Sequence, residues 1–279
     1  MQQELIKAKK KLGQNFLKDR LLAQRIVNSL NLNPNDQILE IGCGTGALTK
    51  VLVGKCFYNG VELDQALYLK VKEKFGGPKR KFLNQDILSL DLSQLVERNI
   101  ASFKIVGNLP YGISSPILHH ISRYVDFVDL VVVMLQAEVA DRLVAMPCSR
   151  EYGFLTLFIH YYFNTELLFT VSPQAFKPQP KVKSKVVRLT PRSDYLLSRH
   201  DEPRFFQFIK KAFSQRRKTL RNCLKMLSSL QQERLKFELD NLSYSMEVRA
   251  EEISLTHFVE LFRTVSTETS GTIQKNTIE

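Results

Sequence analysis

The chain has 279 residues, 44% of them hydrophobic, enough for one large domain and a smaller one with its own core. No apolar run reaches the roughly 18 residues that a bilayer crossing needs, and the first eleven residues are polar and lysine-rich with no apolar leader. A cytoplasmic protein without a membrane span is therefore expected. A net charge of +12 and a pI near 9.5 favour a polyanionic partner, nucleic acid ahead of a membrane surface, over a generic solubilising charge.

Asp19 stands where it can cap an amphipathic helix whose apolar positions Leu21, Leu22, Ile26, Val27 and Leu30 recur at helical spacing. From residue 37, apolar strand-like runs alternate with amphipathic segments. Strands are predicted at 37–41, 57–63, 80–84, 103–106 and 128–135, and helices from near Ala47, Gln65, Ser114 and Gln136. That alternation predicts an α/β domain with a Rossmann-like parallel sheet. A helix at 152–162 follows. Strands at 166–171 and 184–189, joined by the proline-rich loop 173–180, then read as an antiparallel hairpin at the sheet edge. Beyond Pro191 the pattern is entirely helical, with predicted segments at 203–213, 218–229, 231–241 and 255–265. The predicted domains are 1–190, a small all-helical C-terminal domain 191–266, and a polar tail 267–279 expected to be disordered.

The basic residues are clustered, which a generic solubilising surface does not predict. One cluster is Lys7, Lys9, Lys10 and Lys11. A second, containing Lys177, Lys181, Lys183, Lys185, Arg188 and Arg192, lies in a stretch without an acid. The third runs through Lys210, Lys211, Arg216, Arg217, Lys218, Arg221 and Lys225, again without an acid. Lys9, Lys10, Lys11, Lys181, Lys183, Arg216, Arg217, Lys218 and Arg221 are the candidate nucleic-acid contacts. The 4 cysteines and 5 histidines show no metal-ligand spacing, so no metal site is expected.

Directly after the first sheet strand stands Gly42-Cys43-Gly44-Thr45-Gly46. Glycines there allow a tight turn and let a ligand lie against bare backbone. The GxGxG spacing differs from the GxGxxG of dinucleotide loops and points to S-adenosylmethionine instead of a pyrophosphate. Glu62 closes the second strand, where a carboxylate can accept from both ribose hydroxyls, and Asp86 at the end of the third can accept from the cofactor's adenine amine.

At the end of the fourth strand is Asn108-Leu109-Pro110-Tyr111. An exocyclic adenine amine is a poor nucleophile because its lone pair is delocalised into the ring. Two acceptors, the side-chain carbonyl of Asn108 and the backbone carbonyl of Leu109 or Pro110, can draw its N–H groups and aim the lone pair at a methyl donor. Pro110 stiffens the turn, and Tyr111 offers a ring on which a base can stack.

Gly13-Gln14-Asn15-Phe16-Leu17, Glu40-Ile41-Gly42-x-Gly44-x-Gly46, Glu62-Leu63-Asp64, Gln85-Asp86 and Asn108-Leu109-Pro110-Tyr111 resemble, in order, the motifs of the KsgA family. So do Pro173-Gln174-Ala175-Phe176-Lys177-Pro178 with Pro180-Lys181-Val182, and the basic block 213–221. The resemblance implies a class I methyltransferase fold and transfer of two methyls from S-adenosylmethionine to N6 of each of two adjacent adenosines. The expected target is the 3′-terminal hairpin of 16S rRNA in the small (30S) subunit or its precursor. It further implies cofactor contacts from Asn15, Leu17, Gly42, Gly44, Glu62, Asp86 and Asn108, with Tyr111 and Phe176 sandwiching the target adenine. A monomer with a part in subunit maturation is expected. Cys43 departs from the proline often found there in the family. The competing readings are an Erm-type methyltransferase acting on large-subunit rRNA, a non-catalytic RNA-binding assembly or transcription factor on the same fold, and a nicotinamide dehydrogenase. The GxGxG spacing disfavours the last, and the intact Asn108–Tyr111 motif disfavours the second.

Overall fold

The computed structural model describes residues 9, 13–95, 102–194 and 196–266, so Lys10, Lys11 and the 267–279 tail lie outside the described residues. The chain divides into two compact units, residues 1–145 with 155–194 and residues 146–154 with 195–279. The boundary read near Pro191 thus sits at 194/195, and a short segment from earlier in the chain joins the helical unit.

In the first unit, β1 (Phe16–Leu17) leads into α1 (Arg20–Asn28). Asp19 caps α1 by accepting the Leu22 N–H at 3.0 Å, and Ala23, Ile26 and Val27 turn inward at helical spacing. Leu21, counted above on the apolar face, is instead 83% exposed. The sheet is then built from β2 (Gln37–Ile41), β3 (Phe57–Val61), β4 (Arg80–Leu83), β5 (Phe103–Asn108) and β6 (Val128–Gln136). Between them run α2 (Thr49–Leu52), α3 (Gln65–Phe75), α4 (Ser114–Ser122) and, after β6, α5 (Ala137–Leu143). Every residue of β2 is buried, as is β5 up to Gly107, because a parallel sheet is covered on both faces.

α6 (Phe154–Tyr162) runs directly into β7 (Phe163–Val171), three residues before the predicted strand start. β8 (Phe176–Lys177) and β9 (Ser184–Pro191) complete the unit. The main sheet has the order β4-β3-β2-β5-β6-β9-β7, with β9 antiparallel to both β6 and β7, so β7 and β9 close one edge as the hairpin predicted. A second, two-stranded sheet, not anticipated from the sequence, pairs β1 with β8 antiparallel, Phe16 opposite Lys177 and Leu17 opposite Phe176.

In the second unit lie α7 (Glu202–Ala212), α8 (Leu220–Cys223), α9 (Ser229–Asn241) and α10 (Leu255–Ser266). The helix predicted over 218–229 is only one turn long. Ser228 explains the break: with Gln231 it forms a capping box that starts a new helix at Ser229. The core of this unit is aromatic, with Phe205 edge-on to Phe262 and Phe213 beside Phe258. Tyr152, from the inserted segment, donates its hydroxyl to the Ile253 carbonyl at 2.8 Å.

Candidate active site

A cavity of about 450 Å³ opens where β2, β3 and β5 end, at the carboxyl edge of the parallel strands where α/β sheets hold their ligands. Its floor is the glycine loop. Gly42 has φ of +74°, and a Cβ built there meets nothing within 4 Å. The loop therefore turns where only glycine is unstrained, and its bare backbone faces open space that a ligand can fill. Gly46 is fixed differently: at φ +84°, an added Cβ falls 2.5 Å from the Phe75 ring. The helix expected from Ala47 starts at Thr49 and has 4 residues, so bare loop backbone, more than a helix end, forms the floor.

Glu62 stands on one wall, mostly buried. Its carboxylate accepts the Gly44 N–H at 2.8 Å and the Asp64 N–H at 2.9 Å. Burial raises its pKa, against the lowering effect of those two hydrogen bonds. Asp86 lies at the next strand end, its Oδ1 accepting the Leu88 N–H at 2.9 Å. On the opposite side, Asn108 donates from Nδ2 to the backbone carbonyl of Asn15 at 2.8 Å. A carbonyl can only accept, so this contact fixes which end of the amide is nitrogen and leaves Oδ1 as a committed acceptor. The Pro110 carbonyl accepts the Ile113 N–H at 3.2 Å in the following turn. The Tyr111 hydroxyl is 2.6 Å from the Ser184 Oγ, and burial raises its pKa.

Asn15, Leu17, Gly42, Gly44, Glu62, Asp86, Asn108, Leu109, Pro110 and Tyr111 all line this one cavity. Phe176, expected to face the target base, does not line it. It is 2% exposed and packs in the core cluster that contains Leu17, Met134 and Val186, because pairing with Leu17 turns its side chain inward. Among the expected nucleic-acid contacts, Lys181, Lys183, Arg217, Lys218 and Arg221 are exposed. Arg216 is otherwise engaged: its Nε donates to Glu251 at 2.8 Å and its guanidinium bonds the Arg150 carbonyl. Lys9 reaches Asp64 at 2.9 Å.

Beneath the glycine loop lies a network to which the sequence assigned no role. Glu40, fully buried, accepts from the Tyr58 hydroxyl at 2.6 Å and from Thr49 Oγ1 at 2.8 Å, while Cys43 Sγ sits 3.4 Å from the same hydroxyl. Burial pushes the Glu40 pKa up to about 7, against both hydrogen bonds, and raises that of Cys43 well above its ordinary range. Only the three-dimensional register reveals that Thr49 and Tyr58 meet.

Residues 5–265 match the family described as ribosomal RNA adenine dimethylase. The chain belongs to that family. It is 38% identical to the ribosomal RNA small subunit methyltransferase A of Xylella fastidiosa, over 91% of this chain and 94% of the relative. It is 39% identical to the same-named protein of Chlorobium chlorochromatii, over 94% and 95%. Among solved structures, a Plasmodium falciparum dimethyladenosine transferase superposes with a TM-score of 0.76 at 24% identity, over 90% of this chain and 98% of that one. The 23S rRNA methyltransferase ErmE superposes at 0.70 with 26% identity, over 91% and 100%. The fold is that of the class I methyltransferases, as its motif order implied. No helix among the described residues is long and apolar enough to cross a membrane.

Proposed function

We propose that this chain transfers methyl groups from S-adenosylmethionine to N6 of two adjacent adenosines in the 3′-terminal hairpin of 16S rRNA, within the 30S subunit or its precursor, and so takes part in subunit maturation. One observation carries the catalytic assignment: the Asn15 carbonyl commits the Asn108 amide, leaving its oxygen as an acceptor in the same cavity as Glu62 and Asp86.

The cavity fits the cofactor. Glu62 offers the ribose an acidic edge already oriented by two backbone N–H groups, and Asp86 offers the cofactor's adenine an acceptor. Glycine backbone lies between them with room at Gly42. When bound, the cofactor supplies a sulfonium-activated methyl, so no metal or covalent enzyme intermediate is called for.

The protein's own work is alignment. Asn108 Oδ1 takes one amine N–H of the target adenine. The Leu109 carbonyl takes the other, since the Pro110 carbonyl is drawn into its own turn. With both hydrogens held, the nitrogen lone pair leaves conjugation and faces the methyl donor. Tyr111, tethered through its hydroxyl to Ser184, presents its ring as the stacking platform. Lys181, Lys183, Arg217, Lys218 and Arg221 hold the RNA backbone, with Lys10 and Lys11 assigned the same part from sequence.

High identity to small-subunit methyltransferases over nearly the full length favours the small subunit, although the ErmE-like fold serves the large one equally well. The test is transfer of labelled methyl to purified unmethylated small and large subunits, followed by nucleoside analysis. N6,N6-dimethyladenosine in small-subunit rRNA alone is the expected result. The same product in large-subunit rRNA moves the chain to the Erm activity, and no product in either makes it a binding factor.

A further inference from the structure

Asp64 lies two residues beyond Glu62 and behind the cavity wall, which it does not line. Its side chain is 3% exposed, and its two oxygens accept from three partners. Oδ1 accepts the Ala66 N–H at 3.1 Å and so caps α3. Oδ2 accepts from Gln14 Nε2 at 3.2 Å and from the Lys9 ammonium at 2.9 Å. Gln14 closes the triangle, its Oε1 accepting the Lys9 N–H at 2.8 Å.

These bonds reach the segment that contains Asn15. On its far side the segment is held by the β1–β8 ladder and by the Lys18 N–H donating to the Ala175 carbonyl at 2.9 Å. Gly13 to Leu17 therefore lines the cavity as a strap pinned at both ends, with the Asn15 carbonyl holding the Asn108 amide between the pins. The Asp64 N–H also donates to Glu62, so one residue touches both the ribose acceptor and the strap.

We propose that Asp64 is a positioning residue for methyl transfer: it latches the strap Gly13–Leu17 along the cavity and thereby sets the direction of the Asn108 acceptor oxygen. This rests on the catalytic reading of Asn108 given above. An acid that only capped α3 would have no use for the second oxygen, whereas here that oxygen accepts from Gln14 of the strap and from Lys9, which is itself bonded to Gln14. The burial of Asp64 would by itself raise its pKa, but the hydrogen bonds from Lys9 and Gln14 hold it below the usual carboxylate range, keeping the latch charged.

The test uses two variants that break the latch from opposite sides. Asp64→Asn keeps an oxygen for the α3 cap but turns an amide nitrogen toward the Gln14 amide and the Lys9 ammonium, replacing attraction with donor facing donor. Gln14→Ala leaves α3 untouched. In single-turnover methylation at saturating unmethylated small subunits, each variant is expected to lose roughly ten- to a hundred-fold in rate, as small misplacements of reacting groups do, with the half-saturating subunit concentration near wild type. The Tm is expected to hold in Gln14→Ala and to fall by a few degrees in Asp64→Asn, where donors face each other. The double variant is expected to be no slower than the slower single one, because both act through one contact. Hydrogen exchange at the Gln14 and Asn15 amides is expected to quicken in both.

Wild-type rates in both variants, or losses that multiply in the double variant, overturn the latch. If the wild type transfers no methyl, the functional reading fails separately. Hydrogen exchange then still decides the latch, since equal exchange at the Gln14 and Asn15 amides in wild type and Asp64→Asn overturns it without any substrate.

Discussion

An amide side chain can be read in two orientations, and a carbonyl neighbour removes one of them. Because Asn15 offers Asn108 a carbonyl, replacing Asn108 with aspartate sets a carboxylate oxygen against an acceptor at 2.8 Å in place of the donor. Asn108→Ala deletes the acceptor outright. Both variants are expected to lose about a hundred- to a thousand-fold or more in kcat, the scale of a lost transition-state partner, while titration calorimetry shows cofactor affinity within a few-fold of wild type. Equal loss of cofactor binding would mean that Asn108 builds the cofactor pocket and not the target amine's. Glu40 gives a prediction in pH. Its folded pKa of about 7 exceeds the ordinary 4.5, so folding takes up a proton there. That contribution is fully present below pH 4.5 and is lost as pH rises through 7. The loss is on the order of 3 kcal/mol at most, from the size of the shift. Glu40→Gln keeps an oxygen for Tyr58 and Thr49 without titrating. Denaturant midpoints at pH 5 and pH 8 are therefore expected to fall less in Glu40→Gln than in wild type.

The elements most visible in the sequence were those whose side chains repeat with a period. β2, α3 and α4 start where their apolar spacing puts them, and the hairpin edge follows from two strand-like runs around a proline-rich loop. The glycine loop, Glu62, Asp86 and the Asn108 turn were legible because each sits at a strand end, where the fold brings unlike segments together. What escaped was aperiodic. β1 and β8 have two residues each, too few to show alternation, yet their pairing decides where Phe176 points. The one-turn α8 was hidden because Lys218 to Ser229 keeps an apolar spacing straight through a break that only the Ser228 cap discloses. The β1–β8 pairing makes Phe176 a packing residue. Phe176→Ala is accordingly expected to lower unfolding free energy by about 3–5 kcal/mol in equilibrium denaturation. Phe176→Leu, which keeps most of the volume, should retain methyl transfer close to wild type. A Phe176→Leu protein with unchanged stability and a large loss in kcat would return the ring to the substrate.

Over the whole molecule, the surplus of +12 is meaningful only where cations are free to meet phosphates. Arg217, Lys218 and Arg221 are exposed and make no ion pair among the described residues, whereas Arg216, one position away, is tied to Glu251 and the Arg150 carbonyl within the helical unit. Arg216 thereby joins the 146–154 segment to the helices around it, a structural use that sequence clustering cannot separate from an RNA contact. Two neighbouring arginines should therefore fail in different ways. Arg217→Ala is expected to leave the Tm unchanged and to reduce the slope of log K against log salt for RNA binding by about one, the signature of a released counterion site. Arg216→Ala is expected to lower the Tm, by only a few degrees because the pair is partly exposed, and to change the slope by less. Filter binding from 50 to 200 mM salt, on the order of the range where such slopes are steep, measures the first, and a thermal melt the second. If both variants shift the slope equally and neither shifts the melt, the Glu251 contact yields to RNA on binding, and the basic block acts as one surface.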